Sequence, residues 1–203
     1  MKFLLCFLIL GLFVSSELMS EETKQSKEAK EVPENAESII LGAGCFWCTE
    51  AVYEQIDGVV SVESGYSGGT VADPTYRAVT SGTTGHAEVV KVVFDPDVVS
   101  LAQVLEWFWK MHDPTILNRQ GGDVGTQYRS AIFYSNDEQK RIAEASMKAA
   151  AENFDDPIVT EITKAGTFYP AEGYHQDYYF ENRSAGYCQM VIAPKLKKLD
   201  LEE

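Results

Sequence analysis

Two cysteines three residues apart, where an apolar strand turns through glycine into a helix, are the sharpest chemical feature of this sequence. The run is Gly42-Ala43-Gly44-Cys45-Phe46-Trp47-Cys48. Its glycines let the backbone turn tightly and leave the first N–H groups of the helix open. Those N–H groups and the positive end of the helix dipole favour an anion, so Cys45 is expected where a thiolate is stabilised. Glycine-flanked helix starts also bind phosphate, but here a cysteine takes the anion position. Cys48 falls on the same helical face at about 5–6 Å, close enough for a disulfide after local adjustment.

A Cys-x-x-Cys pair has three readings: a redox couple, half of a zinc site, or a structural bridge. Zinc usually takes four ligands, and the sequence has neither a second such pair nor closely spaced histidines. A disulfide oxidoreductase of thioredoxin type usually carries Gly-Pro or small residues between its cysteines, which Phe46-Trp47 does not match. Two aromatics beside a nucleophilic sulfur are better suited to an apolar group, such as a methyl on sulfur.

The elements that must hold this turn can be read along the chain. With 203 residues, 45% hydrophobic and 24% charged, the chain has the makings of about one soluble domain. Its net charge of −14 repels phosphate backbones and anionic headgroups, which argues against nucleic acid or a membrane surface as partner. Lys2, the apolar run from Phe3 to Val14, and Ser15-Ser16 have the parts of a secretory signal over residues 1–16. That places the protein in the periplasm, the cell envelope or outside the cell; an uncleaved leader acting as membrane anchor is the alternative. Residues 17–38 contain no aromatic residue and seven acidic ones, and read as a flexible acidic tether. The folded domain is expected over residues 39–203.

Strands are expected at Ile39–Leu41, Val59–Val62, Val89–Phe94, Tyr128–Tyr134, Ile158–Thr163 and Tyr187–Ile192. Helices are expected over Cys45–Ile56, from Ser100 as cap to His112, and from a Ser135/Glu138 capping box to about Asn153. Ser64–Gly85 and Pro114–Gly125 read as loops, and the first is long enough to suggest function. Strands interleaved with helices argue for an α/β sandwich of undetermined strand order.

On this frame lie Gly44-Cys45-Phe46-Trp47, Pro74-Thr75-Tyr76-Arg77, Gly85-His86-Ala87-Glu88, His112-Asp113-Pro114 and Gly125-Thr126-Gln127-Tyr128-Arg129-Ser130. Tyr174-His175-Gln176-Asp177-Tyr178 and Gly186-Tyr187-Cys188 follow. Together and in this order they resemble the signature series of the A-type peptide methionine sulfoxide reductases, over roughly residues 38–196. The resemblance implies an α/β (α+β) two-layer sandwich with a ferredoxin-like core, and reduction of methionine-S-sulfoxide, free or in oxidised proteins, without metal or organic cofactor. It implies Cys45 as nucleophile, Glu88 as proton donor, Tyr76 and Tyr128 as hydrogen-bonding tyrosines, Asp123 as pocket aspartate, and Phe46 and Trp47 around the methyl group. Strand alternation puts Glu88 on one face with Val90, Val92 and Phe94, company that should raise its pKa. His86, His112 and His175 read as structural hydrogen-bonders. A sulfenic acid on Cys45 condenses readily with a nearby thiol. Cys188 matches the family's common resolving position, whereas Cys48 stands where relatives often have glycine. The expected order is Cys48 first, then Cys188, with thioredoxin or an equivalent dithiol protein reducing the disulfide. The expected state is a monomer.

Overall fold

Among the described residues, eight strands and six helices are arranged so that one sheet carries the glycine turn at the end of a central strand. The computed structural model describes residues 31–201; the expected leader, and the tether as far as residue 30, lie outside the described residues. The elements run β1 (Glu37–Ala43), α1 (Phe46–Tyr53), β2 (Val59–Ser67), α2 (Tyr76–Thr80), β3 (Ala87–Phe94), α3 (Leu101–Met111), β4 (Arg119–Gln120), β5 (Asp123–Val124), β6 (Ser130–Tyr134), α4 (Asp137–Ala150), β7 (Glu161–Lys164), β8 (Tyr169–Pro170), α5 (Tyr178–Glu181) and α6 (Ala193–Lys198).

The main sheet has the order β7-β6-β1-β3-β2-β8, and β4 and β5 form a separate small hairpin. β1 lies antiparallel to both β3 and β6, β2 is antiparallel to β3 and β8, and β6 is parallel to β7. The central strands with α1 and α3 follow the chain order β1-α1-β2-β3-α3-β6 and the spatial order β6-β1-β3-β2. That is the split βαβ, ferredoxin-like pattern.

Period-two alternation sets the faces. Ile39 and Leu41 of β1 join Val90, Val92 and Phe94 of β3 in the main core beneath the helices. Ile40, Val89 and Phe133 point to the other face, where Phe168 covers them. α3 is built as its pattern predicts: Ser100 and Gln103 cap each other's backbone, and Leu101, Val104, Leu105 and Phe108 face inward. Among the described residues no helix is long and apolar enough to cross a membrane.

Several expected elements differ. The Tyr187–Ile192 strand is instead a wide helical turn over Cys188–Ile192 that runs into α6. Its buried residues, Cys188, Ile192 and Leu196, recur every four positions, and a six-residue apolar run cannot by itself separate helix from strand. The Ser64–Gly85 loop holds the end of β2 and all of α2. Gly65 lies within β2 because a Cβ there would come within 2.5 Å of the Tyr169 carbonyl; close packing of β8 requires it rather than a turn. The cap of α4 is Asn136, whose side chain accepts from the Gln139 N–H; Ser135 and Glu138 make no box, and Glu138 pairs with Arg141 instead. Tyr128 closes a short 3₁₀ turn ahead of β6, and Pro114–Gly125 contains the β4–β5 hairpin.

Candidate active site

β1 ends at Ala43, and the chain must reverse within two residues to enter α1. Gly44 makes that turn at φ 92°, and a Cβ there would lie 2.7 Å from the Gln120 side chain, so glycine is required by conformation and by space. Cys45 follows as the residue capping α1. Its carbonyl accepts from the N–H groups of Cys48 and Thr49, at 3.2 and 3.3 Å. The sulfur sits at the helix mouth, nearly buried.

Glu88, at the start of β3, reaches the same mouth. Its Oε2 accepts from the Phe46 N–H at 3.2 Å, while Oε1 is buried and has no hydrogen-bond partner among the described residues. The carboxyl is 1% exposed. Burial, with smaller contributions from the negative charges of Asp123 and Cys48, pushes its pKa up to about 8 against the pull of the Phe46 N–H. Near neutral pH Glu88 therefore carries a proton. With Oε2 accepting, the free position for it is Oε1.

The two thiols differ sharply. Burial pushes the Cys45 thiol well above the ordinary range, and neighbouring Cys48 and Glu88 push it further. Cys48 is drawn down to about 7, chiefly because it accepts a hydrogen bond from Cys45, with help from the positive charge of Lys195. Of the two thiols, Cys48 is therefore the more readily ionised. The first N–H of α1, that of Phe46, donates to Glu88.

The remaining residues singled out in the sequence converge here from separate elements. Tyr76, the first residue of α2, lies parallel to Phe46 with 6.3 Å between ring centres. Burial and then the charge of Glu88 raise the pKa of Tyr76 to about 12, and the same two causes push Tyr128 higher, so both hydroxyls stay protonated. Trp47 stacks face to face on Tyr178 at 3.7 Å and donates its indole N–H to His175 Nδ1 at 3.1 Å. Asp123 accepts from the Tyr187 hydroxyl at 2.7 Å, and that hydroxyl lies 3.7 Å from Cys48 Sγ. Cys188 is buried and free, like Cys45 and Cys48; burial raises its pKa, as does the charge of Cys48.

All three histidines are buried hydrogen-bonders. His86 joins the Gly69 N–H to the Val71 carbonyl. His112, pushed down to about 4 by burial, bridges the Phe108 carbonyl and Ser130. Among the described residues no three His, Cys, Asp or Glu side chains form a cluster able to hold a metal ion.

Tyr187 is the residue the sequence did not single out, although it lies inside a quoted segment; its link to Asp123 spans 64 positions. Glu172 is another, accepting from the Tyr66 hydroxyl at 2.8 Å and from the Tyr76 N–H at 2.9 Å, and so fixing the start of α2.

The chain as a whole is similar to known proteins. The family model described as peptide methionine sulfoxide reductase matches residues 37–203. A peptide methionine sulfoxide reductase MsrA of Leptospira borgpetersenii is 55% identical over 162 residues, 80% of this chain and 92% of that protein. The crystal structure of Mxr1 from Saccharomyces cerevisiae in reduced form superposes with a TM-score of 0.74 at 35% identity, covering 80% of this chain and 94% of that one. Mxr1 in complex with Trx2 matches with a TM-score of 0.53 at 25% identity, over 75% of this chain and 91% of that one.

Proposed function

The chain belongs to the peptide methionine sulfoxide reductase family, and we propose that this enzyme reduces methionine-S-sulfoxide by attack of Cys45 on sulfur with Glu88 supplying the proton. The observation that carries this reading is the pairing at one helix mouth of a buried nucleophilic sulfur with a neutral carboxyl whose free oxygen has no other partner.

The steps balance as follows. Cys45 passes its proton along the hydrogen bond to the Cys48 thiolate and becomes the nucleophile. The sulfoxide oxygen takes the hydroxyl proton of Glu88, with Tyr76 and Tyr128 donating hydrogen bonds, which makes the sulfur electrophilic. Cys45 gains the oxygen as a sulfenic acid, methionine leaves as the thioether, and Glu88 is left as carboxylate. Phe46 and Trp47 hold the methyl group, and Asp123 orients the Tyr187 hydroxyl beside the thiol pair. Cys48 then condenses with the sulfenic acid, releasing water and forming the Cys45–Cys48 disulfide. Cys48 acts first because it is one helical turn away, whereas Cys188 lies on a separate element and receives the disulfide afterwards. The yeast relative Mxr1 forms a complex with Trx2; by analogy a thioredoxin-type dithiol reduces the disulfide here.

The work assigned to the enzyme is repair of oxidised proteins outside the cytoplasm, as a monomer. Its residues 1–16 serve as a signal, which sequencing the mature N-terminus tests.

Purified protein with dithiothreitol should release methionine from the S epimer and not from the R epimer, and Cys45→Ser should abolish the release. Turnover by Cys45→Ser, or equal turnover of both epimers, contradicts the reading.

A further inference from the structure

We infer that Glu50 is a positioning residue for the aromatic pocket: its carboxyl fixes the backbone of Tyr178, and through it the stack of Tyr178 on Trp47. The inference rests on the reading above, in which Trp47 helps to hold the sulfoxide's methyl group.

Glu50 lies in α1 two residues beyond Cys48, is 1% exposed, and takes no part in the chemistry proposed. Both of its oxygens are engaged. Oε1 accepts from the Ser64 hydroxyl of β2 at 3.0 Å, and Oε2 accepts from the Tyr178 N–H at 3.3 Å. Tyr178 opens α5, where a first-turn N–H has no partner within its own helix. Asp177 just before it has φ 51° and ψ 26°, a left-handed conformation that a non-glycine residue holds only when its surroundings dictate it. Gln176 clasps Ser64 from the other side, accepting from its N–H and donating to its carbonyl, both at 2.9 Å. The catalytic helix, β2 and the turn into α5 therefore meet at one joint, and Glu50 is the side chain common to all three. What the joint carries is the Tyr178 ring, parallel to Trp47 within 7°.

Glu50 supplies geometry here rather than charge. The groups that face it are the Ser64 hydroxyl, the backbone N–H groups of Tyr178 and Asp177, and the Asp177 side chain. Burial, with a contribution from Asp177, lifts its pKa to about 7. The neutral acid keeps both contacts by donating from Oε1 to Ser64 and accepting at Oε2. A glutamine amide can do the same, whereas an aspartate, one methylene shorter, cannot span both partners.

The test is single-turnover reduction of methionine-S-sulfoxide by the dithiothreitol-reduced full chain, at varied substrate concentration. Glu50→Asp should raise the half-saturating concentration about fivefold, the weight of one lost buried hydrogen bond, and leave the saturated rate within about twofold. Glu50→Gln should hold both within about twofold of wild type. In a Tyr178→Leu background Glu50→Asp should add nothing, because the ring it positions is gone. An unchanged half-saturating concentration in Glu50→Asp, or its full rise persisting in the Tyr178→Leu background, overturns the inference. If Glu50→Asp does not fold, Ser64→Ala carries the test: a rise of about twofold is expected, and no rise overturns it. Failure of the wild-type chain to reduce the sulfoxide would instead sink the underlying reading.

Discussion

Two glutamates, Glu88 on β3 and Glu50 on α1, are equally buried, and burial lifts both carboxyls far above the usual range, to about 8 and about 7. They differ in what their oxygens touch. Glu50 has a partner on each oxygen, while Glu88 has Phe46 on one and nothing on the other. A buried polar atom without a partner is costly and calls for an explanation, and beside a nucleophilic sulfur that explanation is a catalytic role. Burial alone therefore does not mark the proton donor; the unsatisfied oxygen does. The saturated carboxyl is a strut.

Alanine at the two positions should separate these roles most widely. Glu88→Ala should slow sulfoxide reduction by a factor of about 10²–10⁴, the usual weight of a general acid. Glu50→Ala should act chiefly on substrate affinity. Rate losses of similar size at the two positions would erase the distinction.

The cysteines extend the contrast between chemistry and support. Replacing Cys48 by serine should permit a first turnover, slowed by loss of the proton acceptor for Cys45, and slow recycling by thioredoxin about tenfold or more, because the nearest thiol is gone. Replacing Cys188, which lies in the core and touches neither Glu88 nor the helix mouth by hydrogen bond, should slow recycling less. Stopped-flow release of methionine followed by steady-state turnover measures both. Normal cycling by both serine variants would remove the proposed order of resolution.

The smallest effect is on stability. Glu88 holds its proton to about pH 8 in the folded protein but releases it near 4.5 in an unfolded chain. The folded state therefore binds the extra proton between those values; the stability it confers is complete below about 4.5 and lost as pH rises through 8. For Glu50 the window runs from 4.5 to about 7. Thermal melts should show Glu88→Gln gaining on wild type by several degrees between pH 5 and pH 8, and Glu50→Gln gaining less.

Much of this comparison is legible in the sequence. The alternation of Glu88 with Val90, Val92 and Phe94 put its carboxyl on the core face, and the glycine turn put Cys45 at a helix start. Ser100 and Gln103 announced α3 through local contacts three residues apart. The illegible parts were those set by distant contacts or short elements. α2 has five residues, too few to display a helical period. The Cys188–Ile192 turn hid in an apolar run that also fits a strand. Glu50 meets Tyr178 across 128 positions, and Tyr187 meets Asp123 across 64, separations at which no local pattern operates. The bond from the Phe46 N–H to Glu88 on another strand spans 42 positions and is illegible for the same reason.

The pH dependence of the first turnover, in wild type and in Glu88→Gln, tests the central claim most directly. The wild-type rate should rise as the thiol pair ionises near 7 and fall again above about 8 as Glu88 loses its proton. Glu88→Gln should be slower by a factor of about 100 or more near neutral pH and should lack the falling limb. A Glu88→Gln enzyme that matches the wild-type rate, or a wild-type rate that keeps climbing beyond pH 9, would contradict a proton held on Glu88 for the departing oxygen.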